Sequence, residues 1–205
     1  MARPLVLACG ALAAELRAVL AADSLADGVE VRYLPANLHN RPERIVPSLR
    51  EAIAHHDPQG DRPLFIAYAD CGTGGGLDRL LEELPRASRL PGDHCYGFFA
   101  GSALFTQLHD AEPGTFYLTD FLAKHFQALV WEGLGLDRHP QLLPVYFGHY
   151  VKVVLLAQSD DPTVTEAARH GAQQLGLNVE RRFVGLEPFA AEVRVALRSS
   201  VEGAC

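Results

Sequence analysis

The sequence predicts an α/β fold, a three-layer sandwich built on a mostly parallel, Rossmann-like sheet. Two observations carry this. Short apolar runs alternate with segments of helical pattern along the whole chain, which is the spacing of strand–helix–strand units. The run at 63–69, PLFIAYA, is apolar throughout, as a strand covered on both faces is. Right-handed crossovers then put helices on both faces of the sheet.

The elements follow in order. Residues 4–9 (PLVLAC) form a first strand, and Gly10 turns the chain into the helix ALAAELRAVLAA. Residues 29–34 (VEVRYL) form a second strand. A helix over 42–55 follows, with Pro42 and Glu43 suited to its first turn, where a missing donor costs nothing and an acid complements the dipole. After the strand at 63–69 and the loop CGTGGG comes a helix from Leu77 to Glu83. Residues 86–95 read as loop. A helix is expected in YGFFAGSALFTQL, a strand in GTFYLT, and a long amphipathic helix from Asp120 through Trp131, with Asp120 or Thr119 as its cap. Residues 150–158 (YVKVVLLAQ) are a strong strand. Asp160, Asp161 and Pro162 open the next helix, 179–184 (VERRFV) is the final strand, and EPFAAEVRVALRSS the final helix.

The chain has 205 residues, 48% hydrophobic and 21% charged, which suits a globular protein with a substantial core. One α/β domain over 1–200 is expected, with 201–205 (VEGAC) as a frayed tail. The formal net charge is -7 and no basic run is interleaved with aromatics, so nucleic acid is not an expected partner. No apolar stretch is long enough to span a membrane. The N-terminal apolar run is short and broken by Glu15 and Arg17, so it reads as strand and helix. The expected location is the cytoplasm.

Four cysteines are present, Cys9, Cys71, Cys95 and Cys205, with no CxxC pair. A structural disulfide is not expected in a reducing compartment, and neither a zinc ribbon nor a thioredoxin motif is available. Their placement is more informative. In open parallel sheets, ligands bind outside the carboxyl ends of the strands. Cys9 ends the first strand, Cys71 ends the third, and Cys95 lies in a later loop beside His94. Three thiolates reaching one rim make a metal site of Cys9, Cys71 and Cys95, with His94 as a further ligand or in support of one. A buried cysteine also serves simply as a small apolar side chain. Cys205, at the terminus, is given no role.

The loop CGTGGG offers a different chemistry. Successive glycines can point N–H groups inward as a phosphate nest. It is neither GxGxxG nor a Walker loop, because no GK[ST] follows. On this reading Gly72, Thr73, Gly74 and Gly75 bind an anion, and Asn37, His39 and Arg41, after the second strand on the same rim, add polarity. A nucleophilic Cys71 paired with His39 is the third reading.

The segments CGALAAEL, LHNRPE, YADCGTGGGLD, HCYGFFAG, PGTFYLTDFLAKHF, GLGLDRHPQL and VVLLAQ, in this order, resemble the family of bacterial and archaeal proteins catalogued as DUF1638. The resemblance covers nearly the whole chain. Cys9, Cys71, His94 and Cys95 fall on the family's motif positions. Gly97 departs from the pattern, which has an acidic residue after HCY. The family carries no established reaction, and its members occur alongside corrinoid-dependent methyl transfer. The resemblance therefore implies a place in one-carbon metabolism and a corrinoid protein as partner.

Two cofactors fit three thiolates with an open fourth position. Zinc in such a site can hold a substrate thiol as thiolate and ready it to accept a methyl group. A [4Fe–4S] cluster with one iron free for substrate is the other. Zinc is favoured slightly, since it needs no assembly system. The expected function is thus a metalloprotein of one-carbon metabolism, an enzyme such as a methyltransferase or an accessory to one, acting on a small molecule. The alternative is a non-catalytic nucleotide-, corrinoid- or anion-binding protein using CGTGGG. A homodimer is expected because such domains commonly pair.

Overall fold

The computed structural model describes residues 3–202. In chain order its main elements are β1 (Leu5–Cys9), α1 (Ala13–Ala22), β2 (Glu30–Leu34), α2 (Ile45–His56), β3 (Leu64–Ala67), α3 (Gly76–Glu82), β4 (Ala87–Arg89) and α4 (Cys95–Ala100). They continue with α5 (Ser102–Ala111), β5 (Thr115–Thr119), α6 (Asp120–Lys124), α7 (Leu143–Phe147), β6 (Lys152–Ala157), α8 (Pro162–Leu175), β7 (Asn178–Phe183) and α9 (Glu187–Glu202). The class is α/β with parallel strands, as the alternation of runs predicts. The strands form two sheets, and the chain divides into two compact units: residues to Phe98 together with those from Phe189 on, and Phe99–Pro188. Cys205 and residues 203–204 of the expected tail lie outside the described residues, while 201 and 202 still belong to α9.

The first unit is built on the sheet β2-β1-β3-β4, parallel throughout. Its register pairs Cys9 with Leu34 and Ala8 with Ala67, so the carboxyl ends of β1, β2 and β3 finish together at one edge. Leu5, Leu7, Leu64 and Ile66 present one face of the sheet, and Ile45 and Leu49 of α2 and Leu77 and Leu80 of α3 cover it. All four residues of β3 are buried, which accounts for its unbroken apolar run. On α9, Arg194 forms a two-pronged ion pair with Asp23 at the end of α1, at 2.7 and 3.0 Å.

The second unit holds the parallel sheet β5-β6-β7. Residues Val153 to Ala157 of β6 are fully buried, while β7 is an edge strand rich in charge, with Glu180, Arg181 and Arg182. Such charges discourage pairing with a further strand.

Three elements differ from the sequence expectation. β4 lies within the stretch expected to be loop; three residues, Ala-Ser-Arg, show no apolar pattern and become a strand only by pairing with β3. The helix expected across YGFFAGSALFTQL is two helices, because Gly101 between them has φ 80°, a left-handed conformation that ends helical geometry. The helix expected from Asp120 through Trp131 is regular only to Lys124. It is followed by a wider π turn at Gln127–Trp131, where the Glu132 N–H donates to the Gln127 carbonyl at 2.8 Å. Among the described residues no helix is long and apolar enough to cross a membrane.

Candidate thiol site at the carboxyl edge of the four-stranded sheet

Cys9 is the last residue of β1, and Gly10 beside it has no room for a side chain. A Cβ there would meet the Leu34 carbonyl oxygen at 2.8 Å and the Ala36 nitrogen at 3.2 Å. Only glycine lets β1 and the turn after β2 approach this closely. Four residues beyond β3 stands Cys71, with φ 50°. A non-glycine residue in this left-handed region is strained by roughly 1–2 kcal/mol, and its surroundings hold it there. The Cys71 N–H donates to the Asp93 carbonyl at 2.7 Å and the Asp70 N–H to Gly92 at 3.0 Å. These bonds draw the segment before α4 to the edge, and Cys95 opens that helix.

All three thiols are free and half-buried. They act on one another. Burial is the main cause that pushes the Cys9 thiol up; hydrogen bonds from the Ala11 backbone and the Tyr68 hydroxyl work in the opposite direction. Cys71 is pushed up to about 12, first by burial and next by Cys9, with Asp70 adding to the rise and the Ala69 backbone and Arg89 opposing it. Burial raises Cys95 well above the usual thiol range, and Cys71 and Cys9 raise it further. A main-chain group hydrogen-bonds each sulfur: Ala11 at Cys9, Ala69 at Cys71, and the amides of Cys95 and Tyr96 at Cys95. The trio is thus three neutral thiols, each already supplied with a hydrogen bond that favours its thiolate.

Next to the trio is a tyrosine that the sequence reading passed over. Tyr68 is 2% exposed and its hydroxyl makes no hydrogen bond of regular geometry, although it lies against the Cys9 thiol. Burial, and then Cys9 and Cys71, push its pKa up, so it stays protonated. Its one signal in the sequence is a hydroxyl inside an otherwise apolar run, two residues before Asp70-Cys71.

The glycine loop is filled from within. Asp70 accepts the N–H of Gly75 at 2.9 Å and of Gly74 at 3.1 Å, and the Thr73 hydroxyl donates to the same carboxylate. Thr73 also accepts from Leu77 N–H at 3.3 Å, which starts α3. Gly72, with φ 82°, lies against Pro42, where a Cβ would come within 3.3 Å of the ring. An anion entering CGTGGG would have to displace Asp70 from two of the amides the nest reading needs. Arg89, the cation closest in effect, is engaged by Asp78 at 2.6 Å and by the carbonyls of Leu90 and Gly92.

The remaining predicted residues stand around this edge. Asn37 and His39 are exposed in the turn Ala36–Asn40 after β2, with Arg41 directly following. Crowding by protein lowers the His39 pKa. None of the three is among the groups that act on the thiols. His94 is exposed and its ring lies 5.6 Å from that of Tyr96. A Cβ at Gly97 would meet nothing within 4 Å, so this position has room for a side chain.

The donor set suits a soft metal: three sulfurs, on three segments, each with an amide hydrogen bond. As placed, no group of three or more His, Cys, Asp or Glu side chains among the described residues could hold a metal ion.

The model of the family described as "Protein of unknown function (DUF1638)" matches residues 33–192. That span contains Tyr68, the Asp70 loop, Cys71, His94 and Cys95, and Cys9 precedes it. No curated protein and no solved structure matches the chain. By the extent of the family match, which agrees with its sequence motifs, the chain belongs to the DUF1638 family.

Proposed function

We propose that the carboxyl edge of the four-stranded sheet is a soft-metal site with Cys9, Cys71 and Cys95 as its ligands. The observation that carries this reading is that three cysteines from distant parts of the chain gather closely enough to disfavour one another's ionisation. Three neighbouring thiols that are costly to ionise are poor nucleophiles. A cation removes that cost, because binding displaces the thiol protons and balances the thiolates. The metal is zinc or an open-site [4Fe–4S] cluster, with zinc favoured. When bound, it supplies a Lewis-acidic position at which a substrate thiol is held as thiolate.

The chain's own residues set up the rest. Amides at Ala11, Ala69 and Tyr96 offer hydrogen bonds to the sulfurs, burial limits water, and exposed His94 stands at the start of α4 beside Cys95. With the family's setting, this supports a role in corrinoid-linked methyl-group metabolism, in which a small thiol is readied for methyl transfer. The binding of an anion by CGTGGG is the weaker reading, because Asp70 holds the Gly74 and Gly75 amides.

The experiment is anaerobic purification without chelator, followed by zinc, iron and acid-labile sulfide per chain in wild type and Cys71→Ser. Stoichiometric zinc, or iron with matching sulfide, lost in the variant, is the expected result. Metal-free wild type, or metal retained in full by Cys71→Ser, overturns the reading.

A further inference from the structure

Tyr68 stands at this edge as a buried polar residue whose hydroxyl has no well-formed hydrogen bond. Its backbone is fixed by position: it directly follows β3, its N–H donates to the Ile66 carbonyl at 2.8 Å, and its ring belongs to the core of the first unit. The hydroxyl therefore cannot leave for solvent. Cys9 and Cys71 pack against the core cluster to which Tyr68 belongs, with the hydroxyl on the Cys9 side. A buried hydroxyl without a partner costs about 1–3 kcal/mol. The sequence could have avoided this with phenylalanine, which fills the same space.

We propose that Tyr68 is the positioning residue of the thiol site, its hydroxyl donating to the Cys9 sulfur and keeping that sulfur turned toward Cys71 and Cys95. This rests on the three-thiol reading above and adds to it a residue outside the ligand set. The hydroxyl is suited to this part alone. A phenol hydroxyl is a good donor, and its ring is locked by packing in the core of the first unit, so the donor stays in place. Outer-shell hydrogen bonds of this kind orient metal ligands, and their loss typically costs about 10- to 100-fold in metal affinity.

The test uses Tyr68→Phe in two arms. In metal-free protein, dibromobimane bridges pairs of nearby thiols, and the bridged peptides are identified by mass spectrometry. Bridges that include Cys9 should form several-fold more slowly in Tyr68→Phe, while monobromobimane labels Cys71 and Cys95 at wild-type rates. The melting temperature should change little, since the bond removed is a poorly formed one and the ring that fills the core is kept. In the second arm, zinc affinity at fixed pH should fall by about 10- to 100-fold. Wild-type bridging of Cys9 in the variant overturns the proposal. So does an equal change at all three cysteines with a lowered melting temperature, because that marks loosened packing. If wild type takes up no zinc, the metal reading fails by itself and the bridging arm alone decides the part played by Tyr68.

Discussion

The Asp70 carboxylate accepts the Gly75 main-chain N–H at 2.9 Å, and by doing so closes the glycine loop on itself. The loop looks like an anion cradle in sequence because its glycines free the amides to turn inward. Those amides do turn inward, and the anion they meet is the chain's own. The loop therefore positions the residue between β3 and the glycines, Cys71, and starts α3.

Replacing Asp70 tests this. Asp70→Ala strands two amides and a hydroxyl, and should lower stability by roughly 2–3 kcal/mol in urea unfolding. Asp70→Asn keeps an acceptor and should lose less. Burial alone would raise the Asp70 pKa, but the Thr73 hydroxyl, the Gly75 and Gly74 amides and Arg89 together hold it below the ordinary 3.8. A depressed carboxyl contributes stability above its unfolded value and loses it as pH falls through the folded value. The wild-type advantage over Asp70→Asn should therefore be full at pH 6 and fade below about pH 4. An advantage that persists unchanged in acid would contradict the assignment.

Cys71 at φ 50° separates a cysteine kept for packing from one kept for chemistry. Glycine adopts this conformation freely, so Cys71→Gly should regain about 1 kcal/mol of strain, set against the loss of a half-buried side chain. The variant should be about as stable as wild type, whereas Cys71→Ala, which keeps the strain, should be less stable. Both variants should lose metal. A cysteine that packs and does nothing else would show a clear loss of stability in the glycine variant and no change in metal content.

The thiols should be inert near neutral pH in metal-free protein. Burial and the neighbouring Cys9 push Cys71 up to about 12, so its iodoacetamide alkylation should be slow at pH 7 and climb through the alkaline range. The sign for stability follows. A folded value above the unfolded one means that the native state holds its proton longer. The contribution is full below the ordinary 9.0 and is lost as pH rises toward about 12. Alkaline unfolding of the metal-free protein should therefore begin near pH 9, with a weaker trend in Cys71→Ser. Rapid single-site alkylation of Cys71 at pH 7 would instead indicate a nucleophile.

Much of this was legible in the sequence where burial writes a pattern. β1, β3 and β6 announced themselves because they are buried and apolar through most of their length. The rule about parallel sheets put Cys9 and Cys71 at the ends of adjacent strands; Cys9 does end β1, whereas Cys71 stands four residues beyond β3, in a left-handed turn that its apolar run does not announce. β4 was not legible, since Ala87–Arg89 carries no periodicity and owes its form to its neighbour. The division into two sheets was hidden for a related reason: apolar runs show that strands exist and say nothing of which strands pair. Tyr68 was missed because a tyrosine inside an apolar run reads as core, and only its unsatisfied hydroxyl marks it out. The role of Asp70 was hidden because a loop's amides look the same in sequence whether a ligand or a side chain accepts from them.

The second unit carries a comparable device with no thiol in it. Asp120, 7% exposed, joins the carboxyl ends of β5 and β6: it accepts the Gln158 N–H at 2.9 Å and the Ser159 hydroxyl, and its own N–H donates to the Gln158 side-chain oxygen at 2.8 Å. Thr119, and not Asp120, caps α6, accepting from the Leu122 N–H at 3.2 Å. The carboxylate is thereby left to the neighbouring strand. Asp120→Ala should strand the buried Gln158 amide and cost about 2 kcal/mol or more. Asp120→Asn retains one acceptor and should cost less. Asp120 is not among the groups that act on the thiols, so metal content per folded chain should be unchanged in both variants. Hydrogen exchange should quicken at Gln158 while β1 and β3 keep their protection. A variant that keeps its stability but loses metal would show that Asp120 belongs to the thiol chemistry and not to the sheet.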